Sequence, residues 1–303
     1  MDMPNITTGN FSDDVYQRNI TSYERILLEL FTIIALMSLT ANSFLIFVIV
    51  KYEKLREDTT NQIFLHLNIL QAVLLFSTPL TVRIANEFFW STAVHLRVFC
   101  VLYQVETNVM FAIVGILFLI VCDSFLKIYY EDKYAKFRRI CKFFLGGIYG
   151  STACSSLLTV QYCIFNHYMA FFTYIVMALA VFIFVLFLIV INVIHSFKKR
   201  KLNYKSSNLG LVVPNIFFLL WCPFLIVLFV TLFYKSAHIT TKALFLLGFL
   251  SPIFNLVYVY FWDDNYNVFL RQVFMFKCGK YQNDNLEDQS VAYDANGVHI
   301  TQN

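Results

Sequence analysis

The stretch LGLVVPNIFFLLWCPFLIVLFVTLFY, Leu209–Tyr234, runs for 26 residues without a charge. As a helix rising 1.5 Å per residue it reaches about 39 Å, more than the ~30 Å of a bilayer's hydrocarbon core. In that solvent the backbone polar groups of a single span must be satisfied within a helix. Six further apolar stretches lie at roughly 25–50, 62–82, 98–126, 141–162, 170–195 and 243–262, separated by short polar loops. The chain therefore reads as an all-α membrane protein, a seven-transmembrane helix bundle. Its 303 residues are 59% hydrophobic and 14% charged, with a mean hydropathy of +0.64, which does not suit a soluble globule.

The basic residues set a topology. The first, third and fifth loops and the C-terminal segment hold 17 of the 23 Lys and Arg residues. Positive-inside counting then places the N-terminus outside and the C-terminus in the cytosol. Three glycosylation sequons agree: Asn5-Ile6-Thr7, Asn10-Phe11-Ser12 and Asn19-Ile20-Thr21 all fall before the first span. The polar start shows no cleavable leader, so the first span is expected to act as the signal anchor. The net charge of +4 follows from the loop asymmetry and is no argument for nucleic acid.

Four domains are expected. Residues 1–24 form an extracellular glycosylated tail, and 25–262 the bundle. Residues 263–278 form an interfacial amphipathic helix, with Tyr266, Phe269, Leu270, Val273 and Phe274 at helical spacing after a capping run, Asp263-Asp264-Asn265. The polar residues 279–303 are a disordered cytoplasmic tail. Of seven cysteines, only Cys100 and Cys163 fall on the outer, oxidising side, and their pairing is the natural one. Cys278, just inside the membrane, is a lipidation candidate, with an inert thiol as the alternative. No metal-ligand spacing, catalytic triad or phosphate loop is present, so neither an enzyme nor a cofactor is expected.

Several span motifs carry a resemblance. Asn42 sits in Thr40-Ala41-Asn42-Ser43 of the first span. The sixth holds Phe217-Phe218-Leu219-Leu220-Trp221-Cys222-Pro223, and the second has Pro79 in its outer half. Together with the outer cysteine pair and the inner amphipathic helix, the chain resembles a divergent rhodopsin-like (class A) G-protein-coupled receptor, of orphan or virally encoded type. There the tryptophan and proline of Phe-x-x-Cys-Trp-x-Pro form an activation switch. The proline removes a helix hydrogen bond and leaves a hinge.

The departures are as informative. Asp-Arg-Tyr becomes Asp123-Ser124-Phe125, and Asn-Pro-x-x-Tyr becomes Asn255-Leu256-Val257-Tyr258. Counting from Pro79 puts Gln71 where the family keeps a sodium-binding aspartate. The resemblance implies that these losses loosen the resting state, and that Ser124→Arg restores a restraint between the third and sixth spans. Its ligand side points to Arg83, Glu106, Thr107 and Lys242 as pocket candidates. Thr107 stands where amine receptors carry an aspartate. The expected function is a plasma-membrane receptor of peptide, chemokine-like or orphan type. It answers an unknown extracellular ligand, or is constitutively active, and engages a heterotrimeric G protein. The alternative is an atypical or decoy receptor that binds ligand or partner receptors without signalling. A transporter or channel needs ionisable residues at mid-depth, and the spans offer mainly His66, Gln71 and asparagines.

Overall fold

The computed structural model describes the backbone over residues 11–88, 93–165, 170–199, 209–233 and 244–274, with most of their side chains. Ten helices follow one another among the described residues: α1 (Phe11–Lys51), α2 (Glu53–Glu57), α3 (Thr59–Phe88), α4 (Ala93–Tyr129), α5 (Glu131–Phe165), α6 (Ala170–Lys199), α7 (Leu209–Phe233), α8 (244–248), α9 (Ser251–Trp262) and α10 (Asp264–Phe274). No strand occurs among the described residues.

Among the described residues, six helical segments are long and apolar enough to cross a membrane: Ile26–Lys51, Cys100–Tyr129, Asp132–Gln161, Leu179–Phe197, Leu209–Val227 and Leu244–Trp262. The remaining long helix, α3, packs against α1 and α4. Its Asn61, Asn68 and Gln71 are buried. α1 begins at Phe11, well ahead of the expected start of the first span, and so includes Asn19.

α4 is the axis of the bundle. It packs against α3, α5, α6 and α7, and its Ile113, Ile116, Leu117, Ile120 and Val121 are fully covered. α5 is its opposite, with none of its apolar window buried. Large apolar side chains ring the perimeter, among them Phe76, Phe143, Leu157 and Leu219. An aqueous surface penalises such a belt at about 25 cal/mol per Å², whereas hydrocarbon does not.

Breaks in the helices follow local chemistry. Tyr52 and Asp58 take extended backbone on either side of α2. Pro252 starts α9 in its first turn, where its missing N–H costs no bond. Asp263 caps α10. Its Oδ1 accepts the backbone N–H groups of Asn265 at 3.0 Å and Tyr266 at 3.3 Å.

The apolar face of α10 differs from its sequence reading. Tyr266, Phe269 and Leu270 are buried against protein. Tyr266 donates to Asn61 Oδ1 at 2.9 Å and meets Phe64 edge-on, while Phe269 lies 4.4 Å from the Tyr52 ring. Amphipathicity shows that one face needs cover, and here the α1–α3 corner supplies much of it. Burial, then the charges of Asp263 and Asp58, push the Tyr266 hydroxyl well above its usual range, so it stays a donor.

Candidate functional site in the bundle interior and at its α10 end

Three layers of the interior hold the residues singled out by sequence. The first surrounds Trp221, which is buried in α7 two residues before Pro223. Its indole stacks on Phe217 at 5.7 Å and meets Phe224, Phe245 and Phe249 at 5.9, 5.5 and 5.6 Å. Phe31 of α1 joins the cluster through Phe249 at 5.0 Å. Gly248 makes the arrangement possible. A Cβ built on it falls inside the indole, 2.5 Å from Cδ2 and 2.7 Å from Cζ2. The indole N–H has no acceptor among the described residues.

The second layer is a set of neutral amides on α1, α3 and α9. Gln71 donates to Ser251 at 3.5 Å, which puts these two at one level. Asn68 and Asn255 each lie one turn closer to the α10 end. Ser38 donates to the Phe249 carbonyl, and Asn42 sits one turn below it. Asn42, Asn68 and Asn255 are fully buried. Six amide atoms of Asn42, Asn68, Gln71 and Asn255 have no partner among the described residues. The layer thus has polar capacity that ordered water can fill. Tyr258 is not part of it. It stacks over Trp262 at 6.1 Å, on the perimeter where Trp262 is exposed.

The third layer lies at the α10 end. Asp123 is fully buried, and its Oδ2 accepts from Thr60 at 2.5 Å. Among the described residues no cation reaches it in an ion pair. Lys127 instead pairs with Asp58 at 2.7 Å, and Arg138 donates to the Glu57 carbonyl at 3.3 Å. The Lys127–Asp58 pair is partly exposed, which limits it to roughly 1 kcal/mol or less. Ser124 faces α7, where Gly210 closes on it so tightly that a Cβ at 210 overlaps the serine hydroxyl. An arginine following the line of Ser124 therefore runs into α7. On this geometry the restraint expected of Ser124→Arg needs an arginine that leaves the line of the serine.

On the opposite side, a disulfide joins Cys100 to Cys163, with Cα atoms 5.7 Å apart. Thr107 donates to the Tyr103 carbonyl of its own helix at 2.9 Å. Glu106 is buried in the same segment. Asn108 ties α4 to α5, donating to Ser156 and Thr159 and accepting from Ser155. The side chain of Arg83 and all of Lys242 lie outside the described residues, as do Asn5, Asn10, Cys278 and the side chain of Asn19.

Sequence reasoning missed the cross-helix polar pairs. Asn192 and Asn215 exchange two amide hydrogen bonds between α6 and α7, at 2.9 and 3.1 Å. Tyr129 Oη meets His195 Nδ1 at 2.7 Å between α4 and α6, and His66 Nδ1 meets Tyr149 Oη at 3.1 Å between α3 and α5. The available signal was a polar residue in an apolar span, which marks a contact but leaves its partner open. A scan against protein-family models gives no match, and a search of curated proteins gives none either.

Proposed function

We propose that the chain is a divergent rhodopsin-like receptor in the plasma membrane. Its seven spans include α3, and its N-terminus is extracellular. It responds to an extracellular ligand, or is active without one, and acts on a heterotrimeric G protein at its α10 end. The observation that carries this reading is the seat of Trp221. An indole held on Gly248 among four phenyl rings, two residues before a proline in the same helix, is a pivot about which one half of α7 can swing. The clustering of basic residues in alternate loops supports the orientation. Glu106 and Thr107 of α4 are the chain's proposed ligand contacts, with Arg83 and Lys242 as further candidates from the sequence.

The test is nucleotide exchange on added G proteins by membranes from expressing cells. Exchange above that of mock membranes, lowered by Trp221→Ala at equal surface level, is the expected result. A second reading, an atypical receptor without signalling, is favoured by Ser124, which puts no cation where a G protein is met and is itself covered by Gly210. No exchange with any G-protein class at full surface expression decides for it. Orientation has its own test. Replacing Asn5, Asn10 and Asn19 by Gln is expected to abolish glycosidase sensitivity, and unchanged sensitivity refutes the N-out reading.

A further inference from the structure

We propose that the α10 end of the bundle is held closed by a latch of shape: Gly210 of α7 seats on Ser124 of α4, while an Asn192–Asn215 amide pair binds α6 and α7 into one body. The latch belongs to the bundle itself and does not rest on the signalling reading.

The seat is a close backbone approach. A Cβ at 210 overlaps Ser124 Oγ, stands 2.5 Å from Ser124 Cβ and 3.1 Å from the Ile120 carbonyl oxygen. Rotating the serine hydroxyl does not make room, because its Cβ does not move with χ1. Only separation of α7 from α4 does. The seat is covered, with Gly210 and Ser124 buried and Leu209, Leu211 and Val213 buried beside them. Small residues that let two backbones meet are how membrane helices gain packing, since lipid gives them no hydrophobic drive to associate.

The amide pair determines what moves. Its two hydrogen bonds join α6 to α7, with a third from Asn192 to the Leu188 carbonyl at 2.9 Å. Pulling α6 away from α7 strands two half-buried amides in an apolar setting, so the pair travels together. The contacts to α4 that break at this end on opening include the Gly210–Ser124 seat and the Tyr129–His195 hydrogen bond. Asp123 takes no part, because Thr60 of α3 holds it from the other side.

The experiment uses the full-length chain in detergent or nanodiscs with its free cysteines replaced. Spin labels go on the exposed positions Arg139 of α5 and Ser196 of α6. Gly210→Ala is expected to lengthen the label distance by about 1–2 Å, the size of helix shifts at packed interfaces. Adding Ser124→Gly removes both overlapping atoms and is expected to return the distance to that of the parent. Asn192→Leu in the Gly210→Ala background is expected to uncouple α6, so that its label no longer moves. An unchanged distance in folded Gly210→Ala overturns the latch, as does failure of Ser124→Gly to restore it. Should Gly210→Ala not fold, the double variant decides: recovery of folding and of the parent distance supports the seat, and continued failure overturns it.

Discussion

Gly248→Ala tests whether the Trp221 pivot is as tight as its geometry says. The added methyl lies 2.5 and 2.7 Å from two indole carbons. Carbon atoms settle at about 3.5–4.0 Å, so the ring must retreat by roughly 1 Å. Phe217, Phe224, Phe245 and Phe249 block that retreat at centroid distances of 5.5–5.9 Å. Overpacking of this kind costs about 1–3 kcal/mol. Disturbing even one or two aromatic pairs adds about 0.5–1.5 kcal/mol each. Against this, alanine is the better helix former by about 1 kcal/mol, and Gly248 ends α8. The net expectation is a loss of roughly 0.5–5 kcal/mol. The assay is denaturant unfolding of purified protein in mild detergent, followed by tryptophan emission. With Trp90 and Trp262 replaced by Phe, Trp221 is the sole emitter of the chain's three tryptophans. Its emission is expected to shift red as the ring leaves its seat. Combining Gly248→Ala with Trp221→Leu, followed by circular dichroism, is expected to cost less than the sum of the two single changes. A Gly248→Ala variant as stable as the parent, with unshifted emission, refutes the reasoning.

Three further outcomes are expected. Asn192→Leu alone should destabilise by about 0.5–2 kcal/mol because it leaves the Asn215 amide unpaired, while Asn192→Leu with Asn215→Leu should be nearly neutral; equal single and double losses in a denaturation cycle count against the pair. Thr60→Val removes the donor to a fully buried carboxylate and should cost about 1–3 kcal/mol, with Thr60→Ser largely restoring it; a Val variant of parent stability means that Asp123 does not depend on this bond. Reducing the Cys100–Cys163 bridge, which spans 63 residues, should lower stability by at most about 4 kcal/mol, since spans that stay in the bilayer restrict the unfolded chain already; a loss well beyond this in the same unfolding assay implies that the bridge also orders the segment between α5 and α6.

The parts legible in the sequence are those decided locally. An uncharged run such as Leu209–Tyr234 fixes a helix and its solvent by its own composition. Asp263 announces the α10 cap because a carboxylate before a helix meets free N–H groups whatever the tertiary context. Cys100 and Cys163 could be matched because topology left few partners. The residues that went unread depend on which helix faces which. Asn192 and Asn215 each mark a polar contact, but nothing along the chain says that they mark the same one. Tyr258 was grouped with Asn255 by motif, yet a rotation of about 300° around α9 separates them enough for one to face the amides and the other Trp262. The amphipathic stripe of α10 showed that a face would be covered and could not say by what.

Residue 124 shows why the closing interaction in particular was illegible. Read by charge, Ser124 is a missing arginine and therefore a lost restraint. Read by volume, it is what allows Gly210 to approach. The two kinds of restraint differ in range. Coulomb attraction falls as 1/r and still acts after two helices have begun to part, so it resists opening gradually and weakens as salt or protonation removes charge. Packing contacts lose a quarter to a half of their energy over a gap of about 0.5–1 Å, so they yield abruptly and are indifferent to salt. A bundle closed by Gly210 on Ser124 is therefore sharply two-state at this end and tolerant of its ionic surroundings. One methylene of excess volume upsets it, whereas the loss of a charge does not. That sensitivity resides in the distance between two backbones, which is a property of the folded bundle and of no single residue in it.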